Sequence, residues 1–135
     1  MPGAARFGPP GPTRDRLVAA VLRGEKTATT SMLADWELED EPLPSAGDRL
    51  DVIDSDEKRV AVIELLSVDV IRLGDADITL ARDEGEGFNT VSEWRREHER
   101  FWRELVIPRL SGPLAVEVTD ETPIVVERFR LVSEG

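Results

Sequence analysis

The sequence predicts an α+β fold in which a mostly antiparallel sheet or small β-barrel is flanked by helices. Three observations lead there. Several strand-like segments of differing sequence are spread over residues 49–132, helical segments interrupt them, and they show none of the regular strand–helix alternation that builds parallel α/β sheets. At 135 residues the chain is long enough to bury one core and too short for two, so a single domain over 13–135 is expected.

Residues 1–12 carry four of the nine prolines and three glycines, with little to bury, and read as a flexible N-terminal tail. Thr13 is placed to cap a first helix, in which Leu17, Val18, Val21 and Leu22 form an apolar stripe ending at Gly24. The following Lys26-Thr27-Ala28-Thr29-Thr30-Ser31 has too many short hydroxyl side chains for a helix interior, where they compete for backbone hydrogen bonds. It suits an extended segment, with Thr30 or Ser31 capping a short helix through Trp36.

After an acidic, proline-bearing loop, Gly47-Asp48 turns into a short strand over Arg49–Asp54. Turn residues Asp54–Glu57 then lead to a long β-rich stretch, Arg59–Leu73, and the two strands make a hairpin. A short helix is expected over Asp75–Arg82, before the acidic glycine loop Asp83–Gly87. Thr90 and Glu93 form a capping-box pattern, and Val91, Trp94, His98, Phe101, Trp102 and Leu105 recur at helical spacing until Pro108. Leu114–Thr119 and Ile124–Val132 read as strands around the turn Asp120–Pro123.

The composition excludes several chemistries. With no cysteine and no tyrosine, there is no disulfide, thiolate ligand, thiol nucleophile or phenolic acid. The net charge of −11 opposes generic attraction to nucleic acid, so such a role needs a local basic cleft. No apolar run is long enough to span a membrane, and the first residues lack the apolar stretch of a signal peptide; a cytoplasmic protein is expected. Among seventeen basic residues only Lys26 and Lys58 are lysine, and lysine, unlike arginine, loses its proton readily enough on burial to act as a base.

Gly24-Glu25-Lys26-Thr27-Ala28-Thr29-Thr30-Ser31, the Gly47-Asp48 turn, Glu84-Gly85-Glu86-Gly87, Trp94-Arg95 with His98 and Phe101, and Glu127-Arg128-Phe129 follow one another in the order found in the ASCH domain family of the PUA-like superfamily. The resemblance spans about residues 13–132. It implies a small PUA-like β-barrel flanked by helices, with a cleft between the lysine–threonine segment and the helices after the hairpin. It also implies RNA or a nucleoside or nucleotide as ligand, and either ribonuclease activity or, as in shorter members, deacylation of N-acylated cytidine. Phe88 departs from the family pattern, where an aspartate commonly follows the second glycine.

Within that frame Lys26, Thr29, Glu84 and Glu86 are the candidate catalytic residues. A hydroxyl becomes a useful nucleophile beside a group that takes its proton, and two carboxylates flanking Gly85 can share a site that raises one pKa. In a regular strand Thr27 and Thr29 point to one face and Lys26 to the other, so all three meet only across a turn or kink. Thr27, Thr30, Ser31, Trp94, Arg95, His98 and Arg128 are candidate ligand-binding residues, the aromatics for stacking a base and the arginines for gripping phosphate. Each has a plainer alternative: His98 and Trp94 lie on the buried stripe, and the arginines can pair with the many carboxylates. No metal or cofactor is expected, because the Glu84/Glu86 pair alone lacks the further oxygen ligands a cation needs. A module that binds an unpaired base without chemistry is the remaining alternative.

Overall fold

The computed structural model describes residues 3–112 and 117–134, with side chains to 132. In chain order the elements are β1 (Gly3–Ala5), α1 (Pro12–Leu22), β2 (Ala28–Met32), α2 (Leu33–Leu38), β3 (Arg49–Ile53), β4 (Arg59–Arg72), α3 (Ile78–Asp83), α4 (Val91–Leu105) and β5 (Pro123–Glu134). Short 3-10 turns follow β4 and α4, at Leu73–Asp75 and Ile107–Arg109. The strands form one curled sheet, a half-barrel, in the order β1-β3-β4-β5-β2. Every pairing is antiparallel except β1 with β3. The expected α+β class with a mostly antiparallel sheet is what the chain adopts.

β4 explains the curl. Its fourteen residues pair with both β3 and β5, and its register with β5 shifts between Val62 and Ile63 and again between Leu65 and Ser67. Bulges of this kind bend a strand and increase its twist, so one strand serves both walls of the half-barrel. Two apolar clusters result. One packs Ala28, Met32, Ile124 and Val126 of the sheet against Leu80, Trp94 and Trp102. The other packs Val52, Ile63, Leu65 and Phe129 against Leu17, Val18 and Val21 of α1, with Phe7. Along β5, Ile124 and Val126 belong to the first cluster and Phe129 to the second, as alternation across a strand requires.

Several expectations are corrected. The N-terminal residues are no loose tail: Gly3–Ala5 pair with Leu50–Val52, and Phe7 is 6% exposed and packed 5.8 Å from the Phe129 ring. One apolar side chain among the prolines suffices to anchor them. α1 starts at Pro12 rather than at a Thr13 cap, because proline is preorganised for the first helical position. α2 has no side-chain cap: Ser31 Oγ instead accepts from Trp36 Nε1 at 2.9 Å, and Thr30 Oγ1 turns to Glu84. α3 starts at Ile78, with Asp77 accepting from the Leu80 N–H.

The capping box of α4 forms, with Thr90 Oγ1 accepting from the Glu93 N–H at 3.1 Å. Its apolar stripe is buried only at Trp94 and Trp102, while Phe101 and Leu105 are 37% and 46% exposed. Of the expected strand Leu114–Thr119, residues 114–116 lie outside the described residues. Glu117–Thr119 are irregular, tied instead to Thr122 Oγ1, which accepts from the Thr119 N–H and donates to the Glu117 carbonyl.

Candidate active site

Lys26 precedes β2 and sits where three elements meet. Gly24, with φ +77, ends α1, and the Glu25 and Lys26 amides bond back to the Ala20 carbonyl. The α3–α4 loop then closes over this backbone at Gly85, where an added Cβ would fall 2.7 Å from the Glu25 carbonyl and the Lys26 nitrogen. Only glycine permits that approach, at φ +69 besides. The close contact brings Glu84 to Lys26. Lys26 Nζ donates to the Ala28 carbonyl at 2.9 Å, the Glu84 carbonyl at 3.3 Å and Glu84 Oε1 at 3.5 Å, and lies 5.5 Å over the Phe7 ring. Three protons meet three acceptors, with Lys26 only 2% exposed.

Glu84, 1% exposed, collects the remaining donors on Oε2. Thr30 Oγ1 donates at 3.0 Å, His98 Nε2 lies at 3.1 Å, and Trp94 Nε1 donates as well. Burial pushes the carboxyl pKa up, but His98, Lys26 and the indole N–H outweigh it and hold the group down to about 2. The other ring nitrogen of His98, Nδ1, is 2.8 Å from the Trp94 carbonyl. Facing a carbonyl on one side and an ionised carboxylate on the other, the ring is fully hydrogen-bonded only as imidazolium. Burial lowers its pKa, yet Glu84 and the Trp94 carbonyl raise it overall.

Glu86 lies beside this cluster, with Arg16 3.5 Å away, and burial raises its pKa. Glu84, Glu86 and His98 present donor atoms within 4.8 Å of one another. As built they form an internally neutralised ion cluster: Glu84 is saturated by four side chains, and the Lys26 ammonium stands where a second cation would be repelled.

A cleft of about 1600 Å³ opens above the cluster, and Lys26, Thr29, Thr30, Ser31, Glu84, Glu86 and His98 all line it. Thr29 pairs across the strands with Glu127, while Lys26 and Thr30, of opposite parity, meet at Glu84. The segment thus divides its polar groups between two faces. The other candidates are engaged elsewhere. Thr27 Oγ1 bonds the Asp83 carbonyl, Arg128 pairs with Asp83 at 2.6 Å, and Arg95 pairs with Asp120 and Glu99. Trp94 is fully buried, reaching the site through its indole N–H alone.

Two cleft residues escape sequence reasoning. Trp36, half-buried, lines the cleft with one edge pinned to Ser31. Glu127 is 8% exposed and lines it too. Its signal was the alternation of β5: Val125, Phe129 and Leu131 share its parity, and a carboxylate interrupts that apolar face.

A family model described as the ASCH domain matches residues 3–133. The fold is similar to a crystal structure of a DUF984 protein from Enterococcus faecalis V583, with 28% identity, TM-score 0.86, and coverage of 99% of this chain and 78% of that one. It is similar also to an ASCH domain from Lactobacillus crispatus JV V101, at 26% identity and TM-score 0.83, covering 97% and 79%. A point mutant of ZmASCH from Zymomonas mobilis shares the fold more distantly, at 10% identity and TM-score 0.56, covering 90% and 69%. No curated protein sequence matches this chain.

Proposed function

Because the chain belongs to the ASCH domain family, which is generally associated with RNA binding, we propose that its cleft binds an unpaired base, carried by RNA or by a free nucleoside or nucleotide, above a hydrolytic centre of Lys26, Thr29, Glu84 and Glu86. One observation carries this reading: Lys26, Thr30, Trp94 and His98 converge on the buried Glu84 at the floor of an open cleft. Buried charges are expensive, and clusters of them with displaced pKa values concentrate at functional sites.

The roles divide by protonation. Glu84 stays ionised and orients Lys26 and His98. Glu86, whose pKa burial raises, is the carboxyl suited to exchanging a proton. The Thr29 hydroxyl makes no hydrogen bond among the described residues and is available as nucleophile. In amide hydrolysis its oxygen bonds the acyl carbon, its proton passes through Glu86 to the leaving amine, and the buried Lys26 charge, its three protons already held, acts on the charge gathering on the acyl oxygen through its field alone. Water then releases the acid from the acyl-threonine. Half-buried Trp36 and exposed Phe101 line the cleft with aromatic rings for stacking the base.

Carboxylates outnumber lysine and arginine along the cleft, and Arg14 and Arg16 are already paired there with Glu57 and Glu86. That lining favours a neutral acylated base over a phosphodiester. The size of the cleft favours the second reading, a single RNA strand cleaved as by a ribonuclease, because a lone nucleoside fills less of it. A screen of N-acylated cytidine and unstructured RNA with wild type and Lys26→Ala separates them. Release of cytidine, slowed about a hundredfold or more in the variant, is the expected result. RNA cleavage lost in the variant puts the ribonuclease reading first, and no product from either substrate refutes the hydrolytic centre.

A further inference from the structure

Glu127 stands apart from the Glu84 cluster. It lies on β5 between Thr29 of β2 and Val68 of β4, on the face that continues to Phe129. Its side chain is more than nine-tenths buried, faces the cleft, and has no hydrogen bond or ion pair among the described residues. The carboxyl oxygens are reached from the cleft rather than sealed in the core, and no protein group bonds them among the described residues. Where such a group opens onto a cavity, a ligand can supply the missing partner.

We propose that the Glu127 carboxyl is the group that reads the bound base, taking a ligand edge that sets one hydrogen-bond donor beside one acceptor, as on the amino-and-ring-nitrogen edge of an aminopyrimidine or aminopurine. A neutral carboxyl matches that edge atom for atom: its O–H donates to the ring nitrogen and its carbonyl oxygen accepts from the amine. The neutral form is the accessible one here, because burial raises the pKa of Glu127 to about 7. No charged neighbour contributes to that shift. From β2 and β4 it meets Thr29 and Val68. Of the charged groups that line the same cleft, Lys26 and His98 are committed to Glu84, Arg16 to Glu86, Arg14 to Glu57 and the Gly8 carbonyl, Arg49 to Glu64, and Arg100 to Glu97. Thr29 is the cross-strand neighbour of Glu127, so a base read at its amino edge presents any acyl group on that amine to the Thr29 hydroxyl. The placement rests on the base-binding reading of the cleft and sharpens it.

The experiment is calorimetric titration of cytidine, whose base does not change protonation between pH 6 and 8, into wild type, Glu127→Gln and Glu127→Leu. Wild type should bind, with affinity falling about tenfold from pH 6 to pH 8 as the carboxyl ionises. Glu127→Gln keeps a neutral donor and acceptor and should bind at both pH values alike, while Glu127→Leu should bind at least about tenfold more weakly. Leucine suits a site beside Phe129, and a thermal melt confirms that the variant is folded. Equal affinity in Glu127→Leu, or an affinity that rises with pH in wild type, overturns the role of Glu127 and leaves base binding standing. Absence of binding to wild type overturns base binding itself.

Discussion

Glu84 shows how a charged group is kept inside a small protein. Four side chains from β2, α4 and the segment before β2 surround one carboxylate, so removing its charge strands Lys26 and His98 together. Glu84→Gln should therefore cost roughly 3–5 kcal/mol in urea unfolding, the range for breaking a buried pair. The dependence on pH has two arms. The pKa of Glu84 is depressed in the folded state, so its contribution is present above about 4.5 and is lost as pH falls toward 2. That of His98 is raised, so its contribution is present below 6.5 and is lost as pH rises through the folded value. The gap between wild type and Glu84→Gln should be widest between these limits and narrow on both sides. A gap that does not vary with pH would refute the ionic account.

At the scale of elements, the site depends on one loop lying against another. Gly85 touches the Glu25–Lys26 backbone, and this contact limits how closely the segment after α1 and the α3–α4 loop can approach. Gly85→Ala faces both a backbone clash and a positive φ, and should destabilise by about 2 kcal/mol or more while displacing Glu84 from Lys26. Wild-type melting behaviour in that variant would show that the loop can move away at no cost. The helices and strands around the loop were legible in sequence: α4 from its capping residues and apolar period, the β3–β4 hairpin from alternation around Asp54–Glu57. The Lys26 segment was legible as extended, and alternation correctly separated Lys26 from Thr29. What periodicity could not carry was contact between distant segments. Nothing local in Glu84 or Glu127 tells that one is saturated and the other bare, because their surroundings come from α4, β2 and β4.

For the molecule as a whole, the two apolar clusters meet along β5, and the N-terminal residues complete the second of them through Phe7. Composition hid this, since prolines and glycines outweigh one phenylalanine in any count. Phe7→Ala should cost about 3 kcal/mol in chemical denaturation, as for a buried aromatic, and also uncover Lys26, over which its ring lies. A loss below about 0.5 kcal/mol would mean that the segment detaches freely. The net charge of −11 and the acidic lining of the cleft both work against a ligand held chiefly by its phosphates. The strand order carries one more consequence. β2, which bears Thr29 and Thr30, pairs with β5 alone, although β3, β4, α3 and α4 all intervene in sequence. As the polypeptide leaves the ribosome, that wall has nothing to pair with until β5 has emerged, so the pocket is assembled late, after the hairpin that frames it.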